Sequence, residues 1–369
     1  MHIEPFQAVY PRLEYITAID SFFGAIKAEY NEYNEGGFFK KANREALYIY
    51  RIRRIGRTYT GIIACTDIRD FLDGNIRKHE HTLAAKEQKQ LQLMLRRKAA
   101  VKPVLLTYDA VPAINEFIAD YMQRKKPFLD LMLDEEQTQH TLWKIKSEES
   151  IHFLQQQFEQ HVSHTYIADG HHRTSTSALM YHRHLNGKLN GDFHLLLCAL
   201  FTTENIDIQS FNRVVSGFGE LSAAGFMARI AQYFDIDILT AAEWPRQKHE
   251  LTMYVHQEWY RLRWKPEVLN EYENEAAVLD AAVLDDKVLK GILGIQDVRT
   301  DQRIKYVEGP KGLGVMEKYT DKEKDAVAFS LYPIHLSEII KVADASKVLP
   351  PKSTWFEPRM KNGLIVQEF

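Results

Sequence analysis

Tyr166-Ile167-Ala168-Asp169-Gly170-His171-His172-Arg173 places a carboxylate, a glycine, two imidazoles and a guanidinium directly after an apolar run. Thr165 to Ala168 reads as the end of a buried strand, and Thr174 to His184 as a helix with Ala178, Leu179 and His182 at helical spacing. A strand, a tight glycine turn and a helix start carrying His and Arg make a geometry suited to anions. Unpaired backbone N–H groups and the positive end of the helix dipole converge there. Asp169 is suited to cap the helix or hold a cation, and Gly170 to take a positive φ or allow close backbone approach. His171 and His172 are suited to donate to phosphate or relay protons, and Arg173 to clamp an anion bidentately. A phosphate or carboxylate site is expected; a solvated His-His turn is the plainer alternative.

Strands and helices alternate on both sides of this turn. Upstream lie a hairpin of Ala46 to Arg54 with Tyr59 to Asp67, an amphipathic helix over Leu83 to Ala100, a buried strand Val104 to Tyr108 and a helix near Val111 to Lys125. Phe128 to Thr138 reads as an acidic, mobile stretch, Thr141 to Ile145 as a strand and Ser150 to His161 as a helix. Strands Phe193 to Phe201 and Ile206 to Val215 follow, so the alternation predicts an α/β (α+β) architecture. At 369 residues the chain exceeds the usual size of a single core. A second, smaller α/β unit is expected from Gly217, dividing the chain into 1–216 and 217–369. It carries a hairpin of Leu251 to Val255 with Tyr260 to Trp264, and helices over Leu279 to Leu293 and Ile334 to Ala343. The proline-bound tail from Pro350 to Ile365 is too polar to form a core alone and is expected to pack back on the first unit.

The composition is 45% hydrophobic and 26% charged, with a formal net charge of −3, which argues against a protein built to neutralise nucleic-acid backbones. Cys65 and Cys198 both sit in apolar contexts and read as buried free thiols of a reducing compartment. The start, Met1-His2-Ile3-Glu4-Pro5-Phe6, lacks a basic region followed by an apolar core, and no apolar run approaches membrane-spanning length. A cytoplasmic protein with no membrane partner is expected, and a homo-oligomer is compatible with the sequence.

Lys78-His79-Glu80-His81-Thr82 forms a second cluster ahead of the amphipathic helix. A solvated helix start is its plain reading. Functionally, Glu80 is suited to general-base work and Lys78 to electrostatic support, with His79 beside them. With the first cluster this supplies what phosphoryl transfer to an alcohol requires: a carboxylate for the hydroxyl proton and fixed cations for the phosphoryl charge. The histidines of the two clusters match no standard zinc spacing, so a structural transition-metal site is not expected. Magnesium, bound mainly by nucleotide phosphates with Asp169 assisting, fits the residue types better. Neither a Gly-x-x-x-x-Gly-Lys-Ser/Thr loop nor a Gly-x-Gly-x-x-Gly turn is present. Gly309-Pro310-Lys311-Gly312-Leu313-Gly314 precedes no clear helix and reads as a surface loop, and Lys352-Ser353-Thr354 reads either as a ligand contact or as a polar turn packed by Trp355 and Phe356.

Three segments in order, Asn75 to Thr82, Tyr166 to Arg173 and Leu349 to Ile365, resemble the hallmark segments of the domain-of-unknown-function 1015 family. The Asp169-Gly170-His171-His172-Arg173 segment is similar to that of free-serine kinases with a ParB/sulfiredoxin-like fold. The resemblance implies such a mixed-sheet core, a nucleotide cofactor (ATP or ADP with Mg2+) and phosphorylation of a small hydroxyl-bearing metabolite, free L-serine first. It further implies that Asp169, Gly170, His171, His172 and Arg173 contact nucleotide phosphates or metal, with Lys78 and His79 nearby. Glu80 would be the base, with Asp169 and His172 beside it in catalysis. A non-catalytic nucleotide-binding regulatory module is the rival. Asn212 stands where the family pattern has a histidine before Arg213.

Overall fold

Leu47–Arg54 and Arg57–Asp67 pair antiparallel about Ile55-Gly56, where Gly56 takes a φ of 74° that lets the chain reverse in two residues. This hairpin lies within a nine-stranded mixed sheet, in a computed structural model that describes residues 1–80, 82 and 84–369. His81 of the second cluster and Leu83 of the expected amphipathic helix lie outside the described residues. The strand order from one edge is Ile76–Arg77, Thr165–Asp169, Val104–Tyr108, Leu195–Thr202, Arg57–Asp67, Leu47–Arg54, Thr138–Ile145 and Leu129–Leu133, with Ile3–Glu4 added beside Arg57–Asp67. Thr165–Asp169 runs parallel to Ile76–Arg77 and antiparallel to Val104–Tyr108, which is itself parallel to Leu195–Thr202. Leu195–Thr202 is apolar nearly throughout because both faces of the sheet are covered there.

Two helices, Pro112–Arg124 and Glu148–His161, supply Ile114, Ile118, Leu154 and Phe158 to a core with Ile62, Leu106 and Leu200. Pro112 opens the first at a position where its missing N–H costs nothing, and the Ser147 hydroxyl caps the second by accepting from the Ser150 N–H. Elsewhere, helices Ala84–Arg97 and His171–Leu185 meet through Leu91, Met94 and Met180, with Phe193 alongside.

The stretch expected to be mobile, Phe128 to Thr138, is instead a strand and turn. Leu129, Leu131 and Leu133 point inward while Asp130 and Met132 are exposed, a period-two pattern that pairs Leu129–Leu133 with Thr138–Ile145. The acidic residues Asp134 to Glu136 are confined to the turn.

The chain divides into two units, Met1–Asp207 with Pro358–Phe369, and Ile208–Glu357. The expected division at 216/217 differs at both ends. Asp207–Val215 pairs with Ile304–Glu308 and Val327–Leu331 in the second sheet, so the break falls at the start of that strand, after Asp207. At the other end Gln367–Glu368 pairs with Ala99–Ala100, and Met360, Leu364, Ile365 and Val366 are buried, which places the last segment in the first unit.

The second unit holds a seven-stranded sheet ordered Phe234–Leu239, Glu258–Trp264, Glu250–Val255, Val327–Leu331, Asp207–Val215 and Ile304–Glu308, with Thr354–Glu357 beside Asp207–Val215. The expected helix over Leu279 to Leu293 is α-helical only at Asp280–Val283 and continues as a π-helix at Leu284–Lys290. Gly309 to Gly312 does lead into a helix, Leu313–Thr320, contrary to the surface-loop expectation. Lys352 lies over the Phe211 ring at 4.9 Å, and Trp355 meets the same ring edge-on at 5.7 Å. That geometry matches the packed-turn reading of Lys352-Ser353-Thr354. Among the described residues no helix is long and apolar enough to cross a membrane.

Candidate functional site

The strand Thr165–Asp169 slips register between Ile167 and Asp169, a bulge that places Asp169 opposite Leu105 at the strand end. Gly170 follows with a φ of 121° and directly precedes the helix His171–Leu185. A Cβ at Gly170 would sit 2.8 Å from a guanidinium nitrogen of Arg173, so glycine is what lets that side chain fold back over the turn. The Arg173 guanidinium then donates to Asp169 Oδ2 at 3.0 Å and to the carbonyls of Asp169 and Pro103, each at 3.3 Å.

Two further cations converge on the same carboxylate. Lys102 Nζ lies 3.2 Å from Asp169 Oδ2, and Arg359 donates to Oδ1 at 3.1 Å. Burial alone would raise the Asp169 carboxyl, but Arg173, Lys102 and Arg359 overcome it and hold the group well below the usual carboxylate range. Asp169 is therefore the hub of a cation cluster and does not cap the helix. As a magnesium ligand it does not fit: both oxygens are engaged, and three cations surround the position a divalent ion would take. One carboxylate among three cations leaves excess positive charge beside a helix N-terminus, which suits an anion.

A cavity of about 160 Å3 adjoins this cluster. Lys27, Arg97, Lys102 and Arg173 line it against an apolar wall that includes Met94, Val104, Met180 and Phe193, and no acidic side chain among the described residues contributes. Arg173, Ser177 and Met180 reach it from one face of the helix at i, i+4 and i+7. Burial pushes the Lys102 ammonium down to about 8, against the pull of Asp169 and assisted by repulsion from Arg173. An anion that needs the protonated lysine should thus bind more weakly as pH rises through that value. Calorimetric titration with a nucleotide across about pH 7 to 9 should show the fall, and Lys102→Met should flatten it.

The second cluster meets the turn on another face of the helix. His171 is buried, its Nε2 accepts from the His79 backbone N–H at 3.4 Å, and its Nδ1 stands 3.7 Å from Glu80 Oε2. The His79 and His171 rings meet edge-on at 4.5 Å. Burial drives both imidazoles toward the neutral form, His79 to about 3 and His171 well below its ordinary value. The ligand atoms of His79, Glu80 and His171 lie within 4.8 Å of one another, so the fold assembles a two-imidazole, one-carboxylate set that the sequence spacing did not reveal. Such donors suit a transition ion better than magnesium, and neutral imidazole is the form a metal takes.

The sequence-predicted residues thus fall into two groups. Asp169, Gly170 and Arg173 form the cation cluster, and His79, Glu80 and His171 the buried group. His172 is half-buried on the first helical turn, and Lys78 is exposed with its ammonium 6.0 Å from the Phe71 ring centre. Lys102 and Arg359 escaped the sequence reading, although Arg359 lies in the quoted Leu349 to Ile365 segment.

The structure is similar to that of SbnI with a C-terminal truncation from Staphylococcus aureus, at TM-score 0.42 and 12% identity over 81% of this chain and 85% of that one. It is also similar to a free serine kinase in complex with AMP, at TM-score 0.37 and 13% identity over 80% and 86%. A conserved hypothetical protein from Pyrococcus furiosus gives TM-score 0.37 and 13% identity over 82% and 95%. No curated protein matches the sequence. A family model covers residues 10–285, most of the chain, and the protein belongs to the family it describes, a protein of unknown function (DUF1015).

Proposed function

We propose that this protein is a nucleotide-dependent phosphotransferase acting on the hydroxyl of a small metabolite, with ATP or ADP as donor and free L-serine as the first candidate acceptor. The observation that carries this reading is the cavity beside the Asp169 hub, where cations without an acidic neighbour in the lining face an apolar wall. Apolar walls suit a nucleobase, and the cations suit its phosphates. Arg173 and Lys102 hold phosphate oxygens, with His172 adding a donor at the helix start, while His171 is turned to His79 and Glu80. Asp169 fixes the two cations in place. Magnesium enters with the nucleotide phosphates and not on Asp169. The acceptor oxygen bonds to the terminal phosphorus, the bond from that phosphorus to the bridging oxygen breaks, and Glu80 takes the hydroxyl proton. Glu80→Gln should lower turnover by about 100-fold to 10,000-fold while leaving nucleotide affinity little changed. Undiminished turnover in that variant would remove Glu80 from the role of base.

A non-catalytic nucleotide-binding regulatory module is the second reading. It is favoured by the position of Glu80, which stands at His171 and is not among the residues lining the cavity. Tight nucleotide binding with no phosphorylated product across a panel of hydroxyl acceptors would select it.

A further inference from the structure

A basic groove of about 1080 Å3 lies toward the opposite edge of the first unit's sheet, lined by Tyr10, Arg12, Lys40, Phe128, Lys144 and Lys146 among others. Four strands separate the strand of Lys144 from the strand of Asp169, so the two regions are roughly 24 Å apart at ordinary strand spacing. We propose that this groove is a second anion site that takes a di- or triphosphate chain, inorganic or carried by a nucleoside. It goes beyond the phosphotransfer reading and does not depend on it.

Lys144 is the centre of the argument. Its backbone carbonyl accepts from the Tyr121 hydroxyl at 2.7 Å, which fixes the strand beneath it. Its ammonium lies 4.4 Å from the Tyr10 ring centre and 4.7 Å from that of Phe128, and reaches the Tyr10 hydroxyl at 3.4 Å. Aromatic faces therefore hold the charge in position where a carboxylate would ordinarily neutralise it. Among the described residues no ion pair forms at Lys40, Lys125, Lys126, Lys144 or Lys146. Two acidic residues line the groove against its seven lysines and arginines: Asp130, which already accepts from Gln139 and from Thr141, and the exposed Glu14, which forms no ion pair with these lysines among the described residues. Burial, then repulsion from Lys146 and Lys40, pushes the Lys144 ammonium down to about 8, as expected of a half-buried cation crowded by two others. A multivalent phosphate relieves that repulsion at several ammonium groups at once. A singly charged anion relieves it at one.

Titration of the full chain with inorganic tripolyphosphate, followed by calorimetry, tests the proposal. Lys144→Met/Lys146→Met should weaken one class of binding site by about tenfold or more, while Arg173→Met leaves that class intact. The exposed substitution Lys40→Ala should weaken the same class, and it guards against misfolding of the double variant. Competition by ATP for this class would assign it to a nucleoside-borne chain, and its absence to the inorganic one. Tripolyphosphate binding that survives the lysine substitutions unchanged and disappears in Arg173→Met would overturn the proposal. Since no phosphorylated product is read, failure here is separate from failure of the phosphotransfer reading.

Discussion

Asp169→Asn should cost about 3–5 kcal/mol of stability, because it leaves Lys102, Arg173 and Arg359 converging on a neutral amide. The pH dependence gives this prediction a sign. Asp169 titrates in the folded chain well below its unfolded value, so its contribution is complete above about pH 4 and is lost as pH falls from there toward the folded pKa. Thermal or denaturant unfolding should therefore show an acid-side decline in the wild-type protein that is shallower in the variant. Nucleotide affinity should fall as well, since Arg173 and Lys102 lose the group that aims them. A variant as stable as wild type at neutral pH would mean that the three cations are held by something other than Asp169.

Arg213→Met is expected to have a comparable effect in the second unit. Arg213 is fully buried; it donates to the Phe211 carbonyl at 2.7 Å, approaches Asp285 Oδ1 at 3.6 Å and lies over the Tyr306 ring. Burial raises the Asp285 carboxyl even with Arg213 beside it, so removing the guanidinium strands a carboxylate in the core. The expected loss is about 3–5 kcal/mol near neutral pH, measured by denaturant unfolding. Because the folded-state pKa of Asp285 is raised, the deficit should shrink as pH falls and the group protonates. Arg213→Met/Asp285→Leu should recover much of the loss, whereas a double variant no better than the single one would place the cost in packing and not in the stranded charge. Asn212, beside it, is equally buried and accepts from the Leu331 N–H at 3.2 Å, which gives this position a structural role.

The turn from Asp169 to Arg173 was legible because its chemistry lies within five consecutive residues after an apolar strand. Its partners were not, since Lys102 carries no local signal beside Pro103 and Arg359 is 190 residues away from Asp169. A carboxylate surrounded by cations from three separate segments cannot be read from spacing. Sequence alone therefore favoured a helix cap or a metal ligand, where the fold makes an ion hub. The same holds for His79, Glu80 and His171, which match no metal spacing yet converge when two segments pack together. By contrast, the strand at Leu129–Leu133 was readable from its alternation and was obscured only by the acidic turn that follows.

The most direct test of phosphotransfer is incubation of the full chain with ATP or ADP, magnesium and pooled hydroxyl-bearing metabolites, read by mass spectrometry. Phosphotransfer at the Asp169 site predicts a new phosphorylated metabolite, O-phosphoserine first among them, that disappears with Glu80→Gln. Nucleotide bound tightly but recovered unchanged, with no phosphorylated metabolite formed from any acceptor, would contradict it.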